Sequence, residues 1–219
     1  MKEKTNYPSI DKTHLQGISN FKLHPFIPNI SVYNSIKLMN IPYMNNIAID
    51  CLDLKLNYKE MIKNSNVIAK SLIELGVKPG EIITICMPNY AQAVEIFLAA
   101  NKIGVTVSFI NSFAKKEETI KYLNYFESPI FINYNKDKEH NKEIKEKTKV
   151  RNIITLGKDD LNRKDFNRIN GKLIGYDDLV TFSDLGLVSD FQKGYFKTNF
   201  NGNQDALILF TSGTTGEPK

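Results

Sequence analysis

The sequence predicts an α/β fold, a mostly parallel β-sheet flanked by helices on both faces. Short, nearly continuous apolar segments recur at residues 82–87, 105–109, 130–132, 152–156 and 206–210. Unbroken apolar character, rather than in–out alternation, suits strands covered on both faces. Between the first four lie helical patterns of about ten to fifteen residues, room enough for the crossovers that parallel neighbours require.

Residues 1–29 carry Pro8, Pro25 and Pro28 without a sustained period and are expected to form an irregular N-terminal arm. Residues 31–40 read as a helix, with Val32, Ile36 and Met39 near helical spacing, and two short strands follow at 47–52 and 55–56 around Asp53. Asn57 and Glu60 have capping-box spacing, Met61, Ile68, Leu72 and Leu75 continue the helix, and Gly76 marks its stop. After the strand at 82–87, Asn89 and Gln92 repeat the capping-box pattern and open a helix that runs to Ile103 and ends at Gly104. Helix 115–126 places Ile120, Leu123 and Phe126 on one face. The stretch 136–149 alternates Lys with Asp and Glu, as a solvated helix with (i, i+4) pairs does. Residues 157–175 show no clear period, and 176–180 read as a single helical turn. The expected division is an arm at 1–29, an α/β subdomain at 30–180, a connector at 181–204, and a strand with its loop at 205–219.

Composition narrows the class. The 219 residues are 42% hydrophobic and 24% charged with mixed signs, so the chain is not compositionally disordered. Its apolar runs fall far short of the ~18 residues a transmembrane segment needs, and no apolar stretch follows the charged start to make a signal peptide. Cys51 and Cys86 each sit in an apolar run and read as buried structural thiols, while His14, His24 and His140 are scattered. No metal site is expected. Without a disulfide framework, a cytoplasmic location is expected. The net charge of +5 raises the question of nucleic acid. Such binding needs lysines gathered on one face or interleaved with aromatics, and the densest run here alternates in sign, so no nucleic-acid partner is expected.

The chemistry-bearing segment follows the last apolar strand: Thr211-Ser212-Gly213-Thr214-Thr215-Gly216-Glu217-Pro218-Lys219. Gly213 and Gly216 permit conformations in which successive backbone N–H groups converge on one anion. Thr211, Ser212, Thr214 and Thr215 add hydroxyl donors, and Lys219 adds a point charge on a flexible stem. The carboxyl end of a strand in an open α/β sheet is also where ligands sit. The two glycines enclose only two residues and Lys219 follows Pro218, so this is neither a Walker A loop nor a dinucleotide fingerprint.

The string resembles the signature phosphate loop of the AMP-forming adenylating enzymes, the superfamily of acyl-CoA synthetases, peptide-synthetase adenylation domains and luciferases. The likeness extends upstream through Leu56-Asn57-Tyr58-Lys59-Glu60, Leu75-Gly76-Val77-Lys78-Pro79-Gly80-Glu81, Met87-Pro88-Asn89, Lys102-Ile103-Gly104 and Asn111 with Glu117-Glu118. The Tyr7-Pro8 arm is similar to that of fatty acyl-CoA ligases. The resemblance implies that the chain is part of the large N-terminal domain of an adenylate-forming enzyme. It further implies a carboxylic acid, ATP with Mg²⁺, and coenzyme A as reactants, with Thr211, Ser212, Gly213, Thr214, Thr215, Gly216 and Lys219 as phosphate contacts. No catalytic residue is carried over.

Two departures, Ser112 where the family often has Pro and Lys115 where it often has a Ser or Thr cap, are expected to change local helix-start stability by up to about 1 kcal/mol. The chain ends at Lys219, ahead of the segments that resembling enzymes use for adenine, ribose, the acyl group, the hinge and the catalytic Lys. Alone it is therefore expected to be inactive, and to self-associate through an exposed apolar face. The alternative is a non-catalytic α/β fragment serving as a folding or interaction module.

Overall fold

A computed structural model describes residues 29–134, 138–158, 161, 179–181 and 204–210. The chain opens with α1 (Val32–Met39), a 3₁₀ turn (Ile41–Tyr43) and an antiparallel hairpin of β1 (Ile47–Cys51) and β2 (Leu54–Asn57). There follow α2 (Tyr58–Glu74), β3 (Ile82–Cys86), α3 (Ala91–Lys102), β4 (Thr106–Phe109), α4 (Lys116–Phe126), β5 (Ile130–Tyr134), α5 (Lys138–Lys147) and β6 (Asn152–Leu156). Two short strands complete the set, β7 (Leu179–Thr181) and β8 (Leu207–Leu209). Strands β3 to β8 form one six-stranded sheet in the order β7-β6-β5-β3-β4-β8, parallel throughout.

The apolar strands are apolar because helices cover both sides. Ile68 and Leu72 of α2 and Ile96 and Ala99 of α3 pack on Ile83, Ile85, Val107, Ile130, Ile132 and Ile154. On the opposite face Leu123 of α4 and Ile144 of α5 meet Cys86, Phe131 and Ile153. The α/β layering read from the sequence is what the structure shows.

Local signals set the helix ends. At α2 the Asn57 side chain accepts the Glu60 N–H at 2.8 Å and the Glu60 carboxylate accepts the Asn57 N–H at 2.9 Å, a complete capping box. Gly76 ends that helix at φ +80°, a conformation that costs glycine nothing. In α5 and its flanks the expected pairs appear, Lys147 to Glu143 at 2.8 Å and Lys142 to Glu146 at 4.0 Å.

Several expectations are corrected. The second capping box is absent: α3 starts from Tyr90 without a side-chain cap, and buried Gln92 instead donates to the Leu161 carbonyl at 3.2 Å. The inward side of α4 is wider than the Ile120–Leu123–Phe126 face: Leu123 is buried and Ile120 packs on the same cluster, but Thr119 and Tyr122 are buried with them. Leu179 and Val180 lie in β7 and not in a helical turn, because pairing with the edge of β6 satisfies their backbone groups. Cys86 is buried, but Cys51 is half-buried at the hairpin. The segment 206–210 is a strand but not a buried one: Leu207 and Leu209 are 40% and 63% exposed, since β8 is the sheet edge and no described helix covers it.

Candidate functional site

In an all-parallel sheet every strand delivers its following loop to the same edge, so the segments after β3, β4, β5 and β8 converge. The strand order reverses at β3: its crossover through α3 leads to β4 on one side, while β5 on the other side leads away to β6. The reversal thus falls between the ends of β3 and β5. Tyr90, just beyond β3, and Tyr134, the last residue of β5, meet edge to face with ring centroids 5.1 Å apart. Desolvation and the neighbouring Tyr134 and Cys51 groups push the Tyr90 phenol up, so it stays neutral and can donate.

A groove of about 520 Å³ runs along the carboxyl ends of β3, β4 and β8, lined by Met87, Pro88, Asn89, Phe109, Ile110, Asn111, Ser112, Leu207 and Leu209. Asn111 sets its shape. The Asn111 side chain accepts the Phe113 N–H at 2.9 Å in an Asx turn, and its carbonyl accepts from the Ala114 N–H at 2.9 Å and from Cys86 Sγ at 3.4 Å. The groove lining is neutral. Buried Glu95 and half-buried Lys102, whose pKa values burial shifts strongly, are not among the lining residues and lie on the helical layer.

Strand β8 is fastened into this edge at both ends. Gln204 Nε2 donates to the Gly104 carbonyl at 2.6 Å and Thr106 Oγ1 to the Asp205 carbonyl at 2.6 Å. Leu207 and Leu209 then pair with Val107 and Phe109. Phe210, the next residue, stacks obliquely on Tyr122 at 4.3 Å and approaches Phe126 at 5.5 Å. Phe210, the last described residue, is thus held at the carboxyl end of β8 against α4.

Thr211, Ser212, Gly213, Thr214, Thr215, Gly216 and Lys219 themselves lie outside the described residues. The strand that carries them is thus placed, and their own geometry is not. Sequence reading missed Tyr90, Tyr134 and the Phe210 anchor; aromatic pairs between distant segments leave no periodic signal. Among the described residues no three His, Cys, Asp or Glu side chains gather as a metal would require, so they offer no Mg²⁺ cage.

Residues 42–219 match the family model described as AMP-binding enzyme. Among curated proteins the chain is 26% identical over 168 residues to the rat (Rattus norvegicus) protein acyl-CoA synthetase short-chain family member 3, mitochondrial, covering 75% of this chain and 24% of that one. It is 25% identical over 154 residues to 4-coumarate–CoA ligase 3 of Arabidopsis thaliana, covering 69% and 24%. Among solved structures, a long-chain-fatty-acid-CoA ligase from Archaeoglobus fulgidus superposes with a TM-score of 0.63 at 22% identity, over 89% of this chain and 36% of that one. The chain spans about a quarter of the length of these curated relatives.

Proposed function

The chain belongs to the AMP-binding enzyme family; we propose that it is the opening part of an AMP-forming ligase joining a carboxylic acid to a thiol. An acid carboxylate oxygen attacks the α-phosphorus of ATP, the bond to the β-phosphate oxygen breaks, and acyl-adenylate and pyrophosphate result. A thiol, proposed to be that of coenzyme A, then attacks the acyl carbon and AMP leaves. The acid is proposed to be a fatty or related one, on the likeness of the Tyr7-Pro8 arm.

The observation that carries this reading is the exit of β8. Its last described residue, Phe210, is pinned at the carboxyl edge, so the Gly-rich string from Thr211 starts where a parallel sheet binds ligands. Convergent N–H groups around Gly213 and Gly216, with the Lys219 ammonium, would hold the β- and γ-phosphates and steady the charge that grows on departing pyrophosphate. ATP brings its Mg²⁺; no described side chain is assigned to that ion.

The test is acid-dependent exchange of labelled pyrophosphate into ATP across a panel of fatty and aromatic acids. Whole enzyme should exchange, and Lys219→Ala should lower the rate by about a hundredfold to a thousandfold, the range for losing one donor to developing charge. Exchange that no acid stimulates refutes the reading. The 219-residue chain by itself is proposed to be inactive, and pyrophosphate release by it above its own Lys219→Ala control would overturn that part.

A further inference from the structure

Residues 12–49 contain Lys12, Lys22 and Lys37 and not one Asp or Glu. The described portion of this stretch forms α1, the 3₁₀ turn and the start of β1. Helix α1 turns Tyr33 and Ile36 inward onto Met61, Ile62 and Leu98. Its other side is bare: Leu38 is 54% and Met39 75% exposed, and the strip continues through Ile41, Tyr43 and Ile47, each over half exposed at 58%, 55% and 56%. Five large apolar side chains within ten positions of the chain form an unusual exposed feature, of the kind that marks an interaction site.

Lysines from three helices flank the strip. Lys102 Nζ donates to Asn66 Oδ1 at 2.5 Å and sits 5.2 Å from the Tyr33 ring centroid, tying the C-terminal end of α3 to α1. Lys37 and Lys70 lie close enough to help lower the Lys102 pKa to about 8, after the larger effect of burial. The Lys59 N–H donates to the Met44 carbonyl at 3.0 Å, which places the first turn of α2 against the end of the strip, and Lys63 follows one turn on. Glu60 is held in the capping box, and Glu74 lies beside Lys70.

We propose that the α1 strip with its lysine flank is a docking surface for an anionic lipid bilayer, the aliphatic side chains entering the headgroup boundary and the lysines pairing with lipid phosphate and carboxylate groups. The chemistry selects this occupant. A nucleic acid would engage the lysines but give Leu38, Met39 and Ile41 nothing apolar to enter, and a second copy packed face to face would bring two lysine sets together. A bilayer surface satisfies both halves, and the two attractions add. Peripheral attachment is what the described helices allow, since none is long and apolar enough to cross a membrane.

Flotation of the full chain with vesicles tests this, using phosphatidylcholine alone and phosphatidylcholine mixed with phosphatidylserine. Binding is expected to the mixed vesicles only, weakening as salt is raised. Met39→Glu/Ile41→Glu and, separately, Lys37→Glu/Lys63→Glu should each lower the partition coefficient by about tenfold or more. All four side chains are exposed, and unchanged far-ultraviolet circular dichroism and unfolding midpoint show that the variants fold. No binding to mixed vesicles overturns the proposal, as does binding that neither pair of substitutions reduces. Conversion of an oligomer to a monomer by Met39→Glu/Ile41→Glu, without vesicle binding by the parent chain, assigns the face to a second copy. Retention on nucleic acid in place of vesicles, untouched by Met39→Glu/Ile41→Glu, likewise overturns it.

Discussion

Glu95 is 1% exposed on α3, where Asn64 Nδ2 of α2 donates to its Oε1 at 2.7 Å. Burial raises its pKa from 4.5 to about 8, with the Asn64 hydrogen bond opposing only in part. In the unfolded chain the same carboxyl ionises near its ordinary value. Between the two values the unfolded state releases a proton that the folded state keeps, so folding is favoured at the acid end and weakened as pH rises. Each pH unit in that window lowers the folding constant by about tenfold, and the whole window is worth at most about 4 to 5 kcal/mol. That is comparable with the entire stability of a small domain. Gln keeps an acceptor for Asn64 and has no proton to lose, so Glu95→Gln should remove this dependence. Urea unfolding followed by circular dichroism at pH 5, 6, 7 and 8 should show the parent losing stability across the series while Glu95→Gln stays nearly level. The variant should be the more stable protein by pH 8. Parallel pH curves for the two proteins would refute the assignment of a neutral, buried Glu95.

Asn57→Ala removes the acceptor for the Glu60 N–H at the start of α2 and should cost about 1 kcal/mol in urea unfolding; a double variant with Glu60→Ala should cost less than the two singles together, because the box is reciprocal. Phe210→Ala strips β8 of its contact with Tyr122 and Phe126, and hydrogen exchange at Leu207–Leu209 should speed by more than the exchange of β3 does. Glu143 is held at a pKa of about 2 by hydrogen bonds first from Lys116 and then from Lys147. Its favourable contribution is present above the ordinary carboxylate range and lost as pH falls toward 2. In Lys116→Ala an NMR titration should find the Glu143 pKa raised toward its ordinary value, and an unmoved pKa would exclude the pairing.

What could be read from the sequence was what short stretches decide for themselves. Asn57, Glu60 and Gly76 announce α2 because cap and stop involve neighbours a few residues apart. The repetition of apolar strand and amphipathic helix likewise announced the parallel sheet. Asn89 and Gln92 carried the same local signal and it failed, because Gln92 is drawn into the interior by Leu161, far along the chain. Strand β7 was illegible for a related reason: three residues become a strand only through the free edge of β6. The exposure of Leu207 and Leu209 shows another limit, since apolar composition states what a strand can bury and not whether anything covers it. At the candidate site the glycines and hydroxyls after Phe210 form a local string that a sequence displays, whereas the groove at the ends of β3, β4 and β8 depends on tertiary contacts.

The Tyr90–Tyr134 pair lies beside that groove, Tyr90 following its lining residue Asn89. A parallel sheet whose strand order reverses opens a crevice at the reversal, because the loops on its two sides leave toward opposite faces. At this reversal Tyr90, just beyond β3, and Tyr134, at the end of β5, meet edge to face, the arrangement in which the ring quadrupoles attract. Open volume at the carboxyl edge also lies along the ends of β3, β4 and β8, bounded on the β8 side by Leu207 and Leu209. The aromatic contact joins segments far apart in the chain, so it is settled by the packing of β3 against β5 and not by any local spacing of residues.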